Sequence, residues 1–137
     1  MEAAYWLGAH TQHRLLYHFT FIPKYRKRIL RYKVIKRIRE LFKECCQGNQ
    51  WEIHQLEILE EHVHLLLQIK PTDNPAKVMF YLKGGSSKVL REEFPELKAF
   101  LWGDSFWADG YYVETIGKRN ERAIRKYLSE QQIKHRK

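Results

Sequence analysis

At 137 residues, 44% of them hydrophobic and 14% aromatic, the chain is long enough for one domain with a real core and too apolar to be disordered. No apolar run approaches the roughly 20 residues that span a bilayer, and the N-terminus lacks a basic stretch followed by an apolar one, so neither a membrane partner nor a signal peptide is expected. Net charge is +9, and residues 1–50 hold +8 of it, with 11 basic against 3 acidic side chains. Such an excess favours a polyanion, nucleic acid before a membrane surface, over the plainer role of keeping the protein soluble.

Residues 1–13 lack periodicity and are expected to form a flexible arm. Leu15 to Ile22 is aromatic and β-branched and stops at Pro23, which predicts a strand. Pro23 to Arg28 is a basic loop. From Tyr32 to Gln47 the apolar residues Val34, Ile35, Ile38, Leu41, Phe42 and Cys45 fall at helical spacing, and Gly48-Asn49 ends the run. Cys45 and Cys46 have no second pair or nearby histidine to complete a zinc pattern, so they read as reduced thiols of a cytoplasmic protein.

Trp51 to Leu59 alternates Trp51, Ile53, Gln55 against Glu52, His54, Leu56, a half-buried strand, and Glu60-Glu61 turns tightly into an aliphatic strand ending at Ile69. Asn74 is placed to cap a helix that starts at Pro75 and runs to about Phe94 on Val78, Met79, Leu82, Val89 and Leu90. Gly84-Gly85 weakens its middle, and either close backbone approach to a phosphate or a kink accounts for the pair. Pro95 to Gly110 is a loop whose Trp102, Phe106 and Trp107 either pack inside or grip a partner. Tyr111 to Ile116 predicts a last strand, and Asn120 to Lys134 a last helix. The order β-α-β-β-α-β-α is α+β: a ferredoxin-like or RRM-like split β-α-β with a four-stranded antiparallel sheet, helices on one face and a further C-terminal helix. One domain is expected over 1–137, with 119–137 forming that helix and its tail.

The most informative motif is His62-Val63-His64. Side chains alternate along a strand, so both imidazoles project from one face while Val63 enters the other. A pair of neutral imidazoles is half of a divalent-metal site; two histidines satisfied by ordinary hydrogen bonds is the plainer reading. Downstream, Tyr127 and Gln131 lie four residues apart and share one helix face. The Gln131 amide oxygen can complete a three-ligand set for Mg²⁺ or Mn²⁺, with Tyr127 as a nucleophile against a phosphodiester. Alternatively, Tyr127 extends the stripe of Ile124 and Leu128. Arg14, Lys24, Arg26, Arg28, Lys83 and Lys88 are candidate phosphate contacts or ordinary solvated charges. Glu61 is either an acceptor that orients His62 or a turn residue facing solvent.

Together, His-hydrophobic-His on a strand and Tyr-x-x-x-Gln on a late helix, in a small basic split β-α-β chain, resemble the insertion-sequence-200-like transposases, the single-tyrosine members of the HUH endonuclease group. Leu82–Lys88 and Leu101–Tyr112 strengthen the likeness, which reaches from the first strand through Gln131. The resemblance implies that His62, His64 and Gln131 hold the metal. It implies that Tyr127 attacks single-stranded DNA, leaving a 5′-phosphotyrosine and a free 3′-OH that later attacks a second junction. It also implies a homodimer that recognises DNA hairpins at element ends and needs no nucleotide cofactor. Two other readings remain: a non-catalytic RRM-like module stacking bases on sheet aromatics, and a host-adopted relative that processes palindromic repeats.

Overall fold

The computed structural model describes residues 2–24, 31–97, 101 and 105–136, with side chains to 133. A four-stranded antiparallel sheet is built from β3 (Leu15–Phe21), β4 (Glu52–Ile58), β5 (Val63–Ile69) and β6 (Tyr112–Thr115), in the spatial order β4-β5-β3-β6. Helices α1 (Tyr32–Gly48) and α2 (Pro75–Glu93) cover one face, and α3 (Glu121–Arg136) packs on the other. A short hairpin, β1 (Trp6–Leu7) with β2 (Gln12–His13), precedes the sheet. This is the split β-α-β plan with an added helix. None of the described helices is long and apolar enough to cross a membrane.

Strand alternation sorts the two faces. Phe19, Phe21, Val63, Leu65, Leu67 and Ile69 point into the main core with Val34, Ile38 and Phe42 of α1 and Val78, Met79 and Leu82 of α2. Leu16, His18 and Thr20 of β3, and His64, Leu66 and Gln68 of β5, therefore occupy the face on which α3 lies. There a smaller cluster forms from Ala3, Leu16, Leu66, Ile116 and Leu128, with Ile124 packed against it. Burial pushes the Cys46 thiol up to about 12 and raises that of Cys45, so both stay protonated and unreactive.

The aromatic loop packs inward. Phe106 and Trp107 are buried; the Trp107 indole N–H donates to Ser86 Oγ at 2.8 Å, and the Phe106 backbone N–H donates to Ser87 Oγ at 2.8 Å. Trp102 lies outside the described residues. Asn74 caps α2 as expected, its side chain accepting the Lys77 N–H at 2.8 Å. The helix then runs through Gly84 and Gly85 without a break, and a Cβ built at either meets nothing within 4 Å. Replacing both glycines with alanine is therefore expected to raise stability by about 0.5–1 kcal/mol each, read as a higher thermal midpoint. Unchanged DNA affinity in that variant would eliminate close phosphate approach as their purpose.

Three local features depart from the sequence expectation. Residues 2–13 are tied to the fold, where a flexible arm over 1–13 is expected from the sequence: Ala3 is buried, and its N–H donates to Glu121 Oε2 at 2.8 Å. β4 does not alternate strictly, because a bulge between Ile53 and Gln55 makes His54 an extra residue. In consequence Leu56, rather than Gln55, packs against the main core, and both His54 and Gln55 turn toward α3. Finally, β5 begins at Val63, because the His62 carbonyl accepts the Leu59 N–H at 2.9 Å to close the β4–β5 turn.

α3 is held by a buried polar latch. Glu121, fully inaccessible, pairs with Arg14 and accepts Arg125 Nε–H at 2.8 Å. Arg125 donates to His54 Nδ1 at 2.7 Å; His54 Nε2 meets Gln68 Oε1 at 2.9 Å; Gln68 Nε2 donates to the Ala4 carbonyl at 2.7 Å. Each member has a partner, which is what makes so much buried polarity tolerable.

Candidate active site

His62 and His64 stand side by side at the end of the sheet, their ring centroids 4.9 Å apart and the planes nearly perpendicular. His62 is half-buried in the turn, while His64 is buried on β5. Register puts Thr20 directly across from His64, and His18 two residues further along β3. Both reach it. His18 Nε2 lies 3.0 Å and Thr20 Oγ1 3.1 Å from His64 Nδ1. On its other side His18 Nδ1 is 3.3 Å from Glu114 Oε1, and Tyr112 O–H donates to Glu114 Oε2 at 3.0 Å. A continuous polar line thus crosses from β5 through β3 to β6.

Burial first, then the neighbouring His62 and His18, hold the His64 imidazole down to about 4. It is accordingly neutral at physiological pH, as a ligand must be. With Nδ1 engaged by His18 and Thr20, Nε2 remains for a cation. Among the described residues no group of three or more His, Cys, Asp or Glu is arranged to hold a metal ion. Two imidazoles joined by an amide oxygen would suit a cation that tolerates mixed nitrogen and oxygen ligation. The donor set fits that chemistry.

Tyr127 and Gln131 share one shoulder of α3. Ile124 and Leu128 face the sheet, and Ser129, on the opposite shoulder, accepts from Gln55 Nε2 at 2.9 Å. Tyr127 is 48% exposed and stands outside the apolar cluster, so it does not extend the Ile124–Leu128 stripe into the core. Gln131 is half-buried. Among the described residues no hydrogen bond or ring contact joins either side chain to His64.

The basic residues divide. Arg14 is buried and committed to Glu121, which leaves little of its charge for a phosphate. The Lys83 ammonium donates to the carbonyls of Ala108 and Gly110 at 2.7 and 2.8 Å, tying α2 to the loop before β6, and burial lowers its pKa. Lys24, half-buried, donates its backbone N–H to the Phe106 carbonyl at 2.9 Å. Lys88 is exposed on α2, whereas Arg26 and Arg28 lie outside the described residues. Glu61 is exposed in the turn.

His18 and Glu114 escape a sequence reading focused on His-x-His. The available signal was alternation in β3, where His18 and Thr20 are polar residues sharing a face within an otherwise apolar strand.

The model of the family described as "Transposase IS200 like" matches residues 11–131. The chain belongs to the IS200-like transposase family. It is 36% identical over 123 residues to the transposase for insertion sequence element IS200 of Salmonella typhimurium, covering 90% of this chain and 80% of that one. It is 30% identical over 122 residues to the ISDra2 transposase TnpA of Deinococcus radiodurans, covering 89% and 87%. A crystal structure of a Deinococcus radiodurans protein described as a transposase superposes with a TM-score of 0.75 at 29% identity, over 91% of this chain and 96% of that one. A REP-associated tyrosine transposase bound to a REP hairpin shares the fold, with a TM-score of 0.67 at 14% identity over 94% and 74% of the two chains. The family's α+β architecture is therefore the one described above.

Proposed function

We propose that this IS200-like transposase cuts and rejoins single-stranded DNA at element ends through a 5′-phosphotyrosine intermediate, acting as a homodimer on hairpin-bearing strands. The observation that carries the reading is the imidazole pair, with His64 neutral and its Nδ1 occupied, on the sheet face against which the Tyr127–Gln131 helix packs. His62, His64 and the Gln131 amide oxygen would hold Mg²⁺ or Mn²⁺, which supplies positive charge to the non-bridging phosphate oxygen as negative charge builds there. The Tyr127 hydroxyl oxygen attacks phosphorus, the P–O3′ bond breaks, and the proton lost by the phenol is balanced by the one gained by the departing O3′. The 3′-OH so released attacks a second phosphotyrosine junction, exchanging one ester for another with no need of ATP. Lys24, Arg26, Arg28 and Lys88 are the proposed phosphate contacts, which makes binding salt-sensitive.

Base stacking on the sheet finds little support, because Phe19 and Phe21 are buried toward α1 and α2. Incubation with labelled single-stranded hairpin ends, with Mg²⁺, Mn²⁺ or EDTA, followed by a denaturing gel, tests the proposal. A covalent protein–DNA band that needs the cation is expected. The same band at full strength in EDTA would remove the metal from the account, and no band with any strand would remove the cleavage.

A further inference from the structure

Resting on that reading, we propose that His18 is a positioning residue: held by Glu114, it fixes the tautomer and ring angle of His64 so that Nε2 of His64 faces the cation. Proton bookkeeping along the line gives the direction. The Glu114 carboxylate can only accept, so His18 carries its proton on Nδ1, 3.3 Å away. Nε2 of His18, on the side of the ring away from Glu114, is then placed to accept from the atom facing it at 3.0 Å, His64 Nδ1. The Thr20 hydroxyl, 3.1 Å from His64 Nδ1 and 3.4 Å from His18 Nε2, stands against both nitrogens and can accept from the first. Nε2 of His64 is thereby left as a bare lone pair.

The geometry is built into the sheet. Glu114 pairs with His18 across β6 and β3, and Thr20 pairs with His64 across β3 and β5, so register delivers the four groups. The His18 and His64 rings stack at 25° with centroids 5.2 Å apart, which limits rotation of either. His18 is 5% exposed and His64 7%, so water does not compete freely for these bonds. A carboxylate behind a histidine behind a ligand histidine is a two-step version of the usual arrangement in which a ligand imidazole donates its spare N–H to a carboxylate.

Two measurements test this, neither of them catalysis. In metal-free protein, the ¹⁵N resonances of the His64 ring are expected to report a proton on Nδ1; a proton on Nε2 would overturn the proposal. In His18→Phe, which keeps ring volume but offers no acceptor, the His64 tautomer becomes mixed, and affinity for Mn²⁺, followed by its EPR signal, falls roughly 10- to 100-fold. Unchanged Mn²⁺ affinity in that variant would also overturn it. Should His18→Phe fail to fold, Glu114→Gln, at a 39%-exposed side chain, replaces it and is expected to shift the tautomer and weaken Mn²⁺ in the same direction by less. The transposase reading fails separately: a wild-type protein with His64 protonated on Nδ1, and losing that state in His18→Phe, that still forms no DNA adduct would retain this role for His18 and lose the proposed reaction.

Discussion

Tyr127→Phe is expected to yield no covalent protein–DNA adduct, a fall of the order of 10³-fold or more, while hairpin affinity changes by no more than a few-fold. Tyr127 is half-exposed on α3 and belongs to neither hydrophobic cluster, so loss of one hydroxyl leaves packing and charge intact. The phenylalanine ring covers the same surface but carries no oxygen to bond phosphorus. Binding and cleavage therefore separate, where a folding defect would depress both. The assay compares the denaturing-gel adduct with a mobility shift on the same labelled strand. An adduct persisting in the variant would take the nucleophile's role from Tyr127 and hand it to another hydroxyl.

Glu121→Ala is expected to destabilise the protein by about 3–5 kcal/mol, the usual cost of removing one partner from a buried ion pair. That is a large part of the roughly 5–15 kcal/mol that holds a domain together. The reason lies in what stays behind: the buried Arg14 guanidinium and the partly buried Arg125 guanidinium lose their carboxylate, and the Ala3 N–H loses its acceptor. Replacing both ends, Arg14→Met with Glu121→Leu, is expected to recover part of the loss, since it removes the buried Arg14 charge together with its partner and leaves Arg125 its bond to His54. Urea denaturation of the single and double variants measures it. A single variant within about 0.5 kcal/mol of wild type would show that the latch contributes nothing net.

Most of the architecture was legible because periodicity carried it. The 3.6-residue stripes of α1 and α2, the aliphatic run of β5 and the Asn74-Pro75 start signal each follow from local chemistry, and the split β-α-β order follows from their sequence. What stayed hidden was set by partners distant in the chain. Glu121 looks like an ordinary acid in the first turn of a helix, and only the fold brings Ala3 and Arg14 to it across 118 and 107 positions. The β1–β2 pair is two residues on each side, too short for a pattern. The His54 bulge inserts one residue into an alternation that otherwise looks regular.

The site was legible in half. His62, in the turn, and His64, on β5, come together because they lie two positions apart in the chain, whereas the role of His18 depends on a register that pairs β3 with strands on both sides. No local pattern encodes that pairing.

Hydrogen-bonded anchoring along α3 is uneven. Its clamped length runs from the Glu121 latch through Leu128 to the Ser129 bond with Gln55. Beyond Ser129, no hydrogen bond among the described residues reaches the sheet, and Ile133 is 56% exposed. Tyr127 stands inside the clamp and Gln131 just past its rim. Tyr127 is therefore fixed by anchors on both sides of it along the helix, whereas the Gln131 amide takes its place from the last of them alone.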